Sequence, residues 1–335
     1  MDVLVHSRGA SVRKHRDRLT VRADGQEHEF AIDEVEQVVL GPGVSITSDA
    51  LLLACERGTD VVLTDWRDAP RGRMLTGSLM GAALTKRNQF AALEDPRGAL
   101  IASRIVLAKC RSQANLLARA DRLRERPEVG EAVTAIRREA DAFTPADRLL
   151  AQLRSPLFGL EGSIGRHYLR GLRALLPQEL GFQARTRRPP SDLVNAALSY
   201  GYGILHSQVE RALYLVGLEP AAGFLHTDRW GRASLTLDVM ELFRQPLVDR
   251  AVLTLARRDQ FHPDRHAELH GPGVLLSADG RKLVAAQVLE RLDDTLTVRG
   301  ATLTWKQLIF SECRGLASFL LGHRPDFRPY VHRWA

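Results

Sequence analysis

The hydrophobic pattern of this 335-residue chain changes its period once, and that change limits the fold more than any other feature. Over residues 1–78, apolar positions come in short, β-branched, alternating runs: Val3–His6, Ala10–Lys14, Arg18–Arg22, His28–Ile32 and Glu36–Leu40. A period of two buries one face of a strand, and the Gly, Asp and Ser residues between the runs mark turns. Asp24-Gly25, between two of these runs, is the pair that a tight hairpin favours. Asp49–Gly58 reads as a short helix capped by Ser48 and stopped by Gly58, and Asp60–Thr64 as a buried strand.

After TGSLMGAAL (76–84), whose small residues suggest a linker, the period becomes helical. Ile101–Arg126 runs without Gly or Pro until Pro127 stops it. Ser191–Gly217 carries apolar residues at Leu193, Ala197, Leu198, Ile204 and Leu205, with Pro189-Pro190 ahead of it and Ser191 as the expected N-cap. The expectation is an α+β protein: a small N-terminal β domain over 1–78, then a larger all-helical domain over 79–335.

No apolar run approaches the roughly 20 residues of a membrane span, and the first residues lack the apolar core of a signal peptide. Cys55, Cys110 and Cys313 are far apart and odd in number, which argues against a disulfide framework or a zinc site and suits a reducing cytoplasm. The net charge is +7, and of 47 basic residues only Lys14, Lys86, Lys109, Lys282 and Lys306 are lysines. An arginine excess arises from a GC-rich genome or from a phosphate-binding surface, since the guanidinium fork fits phosphate oxygens. Arg185, Arg187, Arg188, Arg281 and Lys282 are candidates for phosphate contact, against ordinary solvated surface.

The stretch GFLHTDRWGRASLTLDVMELF (223–243) places Asp238 and Glu241 inside an apolar run. Three residues apart in a helix, they share a face. Two readings compete. Both acids point to solvent beside Arg244, or they bind a divalent ion together with His226 from the preceding loop. Carboxylates with one imidazole and no thiolate suit Mg²⁺ or Mn²⁺. Glu161, in LFGLEGSIGRHYLRGL, is a further candidate ligand, read as a glutamate that opens a helix between apolar residues and glycines. Tyr168, Asn195, Ser199 and Tyr200 read as structural, His167 and His206 as surface or supporting groups. The run FHPDRHAELH (His262, His266, His270) reads as a loop, exposed or in contact with DNA rather than metal. For the tail GHRPDFRPYVHRWA three readings stay open: stacking on DNA ends, a partner contact, or disorder.

Four segments in order, GLEGSIGRHYLRGL, RRPPSDLVNAALSYGYGIL, GLEPAAGFLH and SLTLDVMELFR, resemble the CRISPR-associated spacer-acquisition endonuclease and integrase, the protein numbered one in the Cas series. GPGVSIT and RGTDVVLTD are similar to that family's N-terminal domain. The resemblance implies an N-terminal β domain serving dimerisation and a helical catalytic domain. It implies catalysis by Glu161, His226, Glu241 and Asp238, with Glu161, His226 and Glu241 as ligands of Mg²⁺ or Mn²⁺ and Asp238 behind them or as an alternate ligand. On that division, losing Asp238 is the milder change. It implies a homodimer acting on double-stranded DNA, both the incoming fragment and the CRISPR repeat. The small protein numbered two in the series is the expected partner. The reaction implied is attack of a 3′-hydroxyl on a phosphodiester, inserting a short DNA into the array. A transposon-borne integrase with the same core, and a DNA-binding subunit without catalysis, are the alternatives.

Overall fold

The computed structural model describes residues 1–66, 70–74, 82–123, 125–144, 149–227 and 229–334. The chain divides into two compact units, Met1–Leu79 and Met80–Ala335.

The first unit holds two four-stranded sheets. Strands β1 (Asp2–Val5), β2 (Ser11–His15), β3 (Arg18–Ala23), β4 (Gln26–Ala31), β5 (Gln37–Leu40), β6 (Ser45–Ile46), β7 (Asp60–Thr64) and β8 (Pro70–Met74) follow in sequence, with helix α1 (Ser48–Arg57) before β7. One sheet has the order β1-β5-β7-β8, parallel except for β8, and the other the order β4-β3-β2-β6. The β3–β4 hairpin turns through Asp24 and Gly25, both at positive φ, so the sequence cue acts as a primed turn. Alternation puts Val3, Val5, Val12, Leu19, Val21, Val38 and Leu40 into one core with Leu53 of α1 and Val61 of β7. The cap of α1 is Thr47 rather than Ser48, because Thr47 keeps extended backbone and accepts the Ala50 N–H.

The second unit is mainly helical, so the α+β class stands. Its helices are α2 (Ala82–Ala92), α3 (Pro96–Ala120), α4 (Pro127–Ala142), α5 (Leu150–Leu175), α6 (Leu193–Leu215), α7 (Ser234–Met240), α8 (Arg250–Arg257), α9 (Pro263–His266), α10 (Ala278–Asp293) and α11 (Trp305–Leu320). It is not helical throughout: β9 (Ala267–His270) pairs with β10 (Gly273–Leu276), and β11 (Thr295–Val298) with β12 (Ala301–Thr304). Both hairpins are short, and Thr and Leu alternate in the second, a pattern a helical window hides. Of the linker expected at 76–84, residues 76–81 lie outside the described residues, and Ala82 to Leu84 begin α2.

Several boundaries move for local reasons. α3 starts at Pro96, where Asp95 accepts the Arg97 N–H and proline needs no amide partner, and it ends at Ala120. Pro127 then opens α4 rather than closing α3. α6 starts at Leu193 because Asp192, not Ser191, accepts the Asn195 N–H at 2.8 Å. α7 gives way after Met240 to turns and then to a π-helical segment, Arg244–Asp249, where Pro246 lacks an amide to continue an α-helix. The tail is packed in the structure. Phe327 lies 6.4 Å from Phe319, and Trp305 meets the rings of Tyr330 and His332 edge-on. Asn115 of α3 donates to the His332 carbonyl at 2.9 Å.

Asp192 both caps α6 and accepts from the buried Asn195 side chain at 2.6 Å. Asp192→Ala is expected to destabilise the chain by about 1–2 kcal/mol, read as a lower urea midpoint at unchanged slope.

Candidate functional site

Asp238 and Glu241 are 0% and 1% exposed, so neither meets solvent. Buried carboxylates must find donors or cations to replace lost water. The two acids do so differently.

Asp238 takes donors. Its oxygens accept the backbone N–H groups of Phe224, Leu225 and His226 at 2.6, 2.9 and 3.0 Å. The His226 Nδ1 lies 2.6 Å from the same carboxylate, and against a carboxylate that nitrogen must donate. In the neutral ring this tautomer leaves Nε2 with its lone pair. Gly223 makes this bend possible, since a Cβ there would stand 2.7 Å from the Ser234 backbone and 2.8 Å from the His226 carbonyl.

Glu241 takes cations. Arg244 Nη1 lies 2.8 Å from its Oε1, and Lys109 of α3 lies 2.8 Å from its Oε2 in an ionic contact that does not meet hydrogen-bond geometry. The Lys109 ammonium also donates to Glu161 of α5. Glu161 stands in the middle of α5 rather than at a helix start, because the glycines around it face open space and do not interrupt the helix. On that helix Arg154, Phe158 and Glu161 form one stripe. Arg154 Nε donates to the Phe224 carbonyl at 3.0 Å, and the Phe158 ring meets His226 edge-on with centroids 6.1 Å apart. Glu161, Glu241 and the His226 loop are thus gathered by α3, α5 and α7.

Behind Arg244 lie two tyrosines, Tyr168 buried and Tyr202 half-buried. The guanidinium sits over the Tyr202 ring, 5.0 Å from its centroid, and Arg185 approaches the same ring at 5.6 Å. The hydroxyls of Tyr202 and Tyr168 donate to the two oxygens of Asp249 at 2.5 and 2.6 Å. Arg244 and Asp249 belong to the π-helical segment, and Tyr168 to α5.

These contacts set the charges. Burial opposes the charged form of Glu241, but Arg244 and Lys109 outweigh it and hold the carboxyl down to about 2. Burial likewise opposes the charge on Lys109, and Glu241 with Glu161 outweigh it and raise its pKa. Burial raises the Asp249 carboxyl and lifts both tyrosine hydroxyls well above their usual value. Cys110, beside Lys109, is pushed up to about 12 by burial, so no thiolate competes at the site.

The donor set, two carboxylates and an imidazole with Nε2 free, suits a hard divalent cation. As the side chains stand, no three His, Cys, Asp or Glu groups among the described residues surround one point. The Lys109 ammonium is the cation between the two glutamates, standing where a metal ion would neutralise both.

The expected phosphate contacts separate. Arg187, Arg188 and Lys282 are exposed. Arg185 is turned inward, donating to Asn195 Oδ1 at 3.0 Å and Ser199 Oγ at 2.9 Å. Arg281 donates to the Leu276 carbonyl at 2.9 Å. His266 is buried, not exposed, and its Nδ1 accepts the His262 N–H. Lys109, Tyr202 and Asp249 were not among the residues expected from sequence. Lys109 had a signal, a lone lysine in VLAKC with apolar neighbours on both sides.

The burial of Asp238 gives it a part in folding as well as in the site. Asp238→Ala orphans the buried N–H groups of Phe224 and Leu225 and the part-buried one of His226, and should cost about 3 kcal/mol in denaturant unfolding. For Glu241 the depressed pKa means its stabilisation is full above the unfolded value of 4.5 and is lost as pH falls toward about 2. Glu241→Gln should flatten the acid limb of a stability–pH curve in that window.

A family model described as CRISPR associated protein Cas1 matches residues 3–290. A protein of Archaeoglobus fulgidus named CRISPR-associated endonuclease Cas1 1 is 36% identical over 315 residues, covering 90% of each chain. Among solved structures, a casposase bound to integration product superposes with a TM-score of 0.85 at 22% identity, over 99% of this chain and 94% of the other. A Cas6-RT-Cas1–Cas2 complex superposes with a TM-score of 0.79 at 23% identity, over 100% of this chain and 36% of the other.

Proposed function

The chain belongs to the CRISPR-associated Cas1 family, and from that premise we propose that it is a divalent-metal-dependent DNA endonuclease and integrase. It inserts short DNA fragments into a CRISPR array through attack of a 3′-hydroxyl on a phosphodiester of the repeat. The observation that carries this reading is the convergence of Glu161 and Glu241, from separate helices, on one cation, beside an imidazole whose Nδ1 is fixed by Asp238.

Glu161, Glu241 and the Nε2 of His226 would hold Mg²⁺ or Mn²⁺. Bound there, the ion supplies Lewis-acid stabilisation of charge on the phosphate and on the attacking or leaving oxygen. The rest falls to the chain. Asp238 keeps His226 in one tautomer and one orientation before the site fills. Arg244, fixed between Glu241 and the Tyr202 face, adds positive charge beside the reacting phosphate. No serine or cysteine nucleophile is required. Water in place of the 3′-hydroxyl gives hydrolysis at the same site. Arg187 and Arg188, exposed ahead of α6, would contact the DNA backbone, where phosphates are bound without regard to sequence.

Association with a second copy of the chain, and with the small Cas2 partner named in the Cas6-RT-Cas1–Cas2 neighbour, belongs to the same reading. The fold is shared with a casposase, so fold alone does not choose the target DNA. The test is integration of a labelled duplex into a leader–repeat plasmid, with an unrelated plasmid as control and with and without Cas2. Integration into the repeat, dependent on Mg²⁺ or Mn²⁺ and abolished by EDTA, is expected. Equal integration into both plasmids would overturn the CRISPR assignment.

Glu161→Gln and Glu241→Gln should each lower strand transfer and cleavage by about 10²–10³-fold or more, with DNA affinity nearly unchanged in gel shifts. Arg187→Ala with Arg188→Ala should instead weaken DNA binding and reduce its salt slope by about 2.

A further inference from the structure

Lys109 is 8% exposed on α3, within a helix whose neighbouring side chains are apolar. Lysine is rarely buried, because its ammonium loses strong hydration. Here Glu161 and Glu241 repay that loss together. Glu241 also has Arg244, but among the described residues Lys109 is the one hydrogen-bond partner of Glu161. Without a cation between them, the two carboxylates would repel across a water-poor gap.

An ammonium in ionic contact with both carboxylates and a divalent ion bound by both claim the same place. Two cations cannot share it. We propose that Lys109 is a tethered resident cation: it holds Glu161 and Glu241 in register in the metal-free protein, and it must leave them for a divalent ion to bind. The proposal rests on the metal-site reading above and adds to it a positioning residue that competes with the ion. Lys109 thereby sets how much free metal the site needs, and it keeps the carboxylates from drifting apart before metal arrives.

The competition has a sign. A site occupied by lysine binds metal with an apparent affinity reduced by the fraction of molecules in which the lysine has already let go. Removing the ammonium lifts that penalty while destabilising the metal-free protein. A purely structural lysine would lower stability and leave metal affinity alone or weaken it.

The experiment compares wild type, Lys109→Met and Glu241→Ala as full-length chains, by titration calorimetry with Mn²⁺ and by thermal unfolding with and without Mn²⁺. In Lys109→Met we expect a lower metal-free Tm, a larger rise on adding Mn²⁺, and binding about tenfold tighter than wild type if nine-tenths of metal-free molecules hold the lysine. Glu241→Ala should show little rise. Unchanged or weaker Mn²⁺ binding in Lys109→Met, beside clear binding by wild type, overturns the proposal. No Mn²⁺ binding by wild type would instead remove the metal-site reading itself.

A second measurement stands if Lys109→Met does not fold. The chain has five lysines, so ¹⁵N-lysine labelling of wild type gives few side-chain ammonium signals. The buried, ion-paired Lys109 signal should be protected from exchange without metal, and should shift or vanish when Mg²⁺ saturates the site. A Lys109 signal that stays unmoved at saturation overturns the proposal as surely.

Discussion

A carboxylate at the bottom of an apolar helix cannot remain charged alone, and Glu241 is the residue on which that constraint acts most severely. Water is excluded from it, so its charge survives only because Arg244 and Lys109 stand on its two oxygens. Each neighbour then brings a requirement of its own. Arg244 needs a surface to lie on and finds the Tyr202 ring, and Tyr202 needs an acceptor for its hydroxyl and finds Asp249. Lys109 needs a second anion and finds Glu161. The partners come from α3, α5, α6 and the π-helical segment, so a single buried charge ties together much of the helical unit around the place where DNA chemistry would occur.

Asp238 shows the other solution to the same problem. It meets three backbone donors and one imidazole, all in the chain around the 224–226 bend. The amides of that loop are spent on a carboxylate three residues from Glu241 in sequence. One short helix thus fixes both the orientation of the histidine and the position of the glutamate. That is preorganisation built from backbone hydrogen bonds rather than from a bound ligand.

Much of this was legible in the sequence, and what was not has physical causes. Period-two runs located the β unit, and Asp24-Gly25 gave its hairpin, because those signals act over a few residues. The caps of α1 and α6 moved by one residue, since neighbouring Thr47, Ser48, Ser191 and Asp192 all have side chains able to cap. The β9–β10 and β11–β12 hairpins were hidden because four-residue strands carry too little pattern to stand out among helices. Glu161, His226, Asp238 and Glu241 could be named through acids in an apolar run and the ordered motifs around them. Lys109 lies 52 residues before Glu161, and only packing of α3 against α5 brings them together. Local pattern carries no record of such a pair.

The π-helical segment has a consequence for how this chain can change over time. In an ordinary α-helix, residues five apart point about 140° away from each other. The wider turn of Arg244–Asp249 instead lets its first and last residues grip the same tyrosine, one on the ring face and one on the hydroxyl. Lineages that gain or lose a residue in a surface loop drift with little penalty. A single codon deleted between positions 244 and 249 would leave the two residues four apart, and the segment wound back to α would keep them about 40° apart on one face, still beside Tyr202. The six positions thus form a helical turn carrying one extra residue, and the loss of that residue is the change of length this tyrosine clamp tolerates.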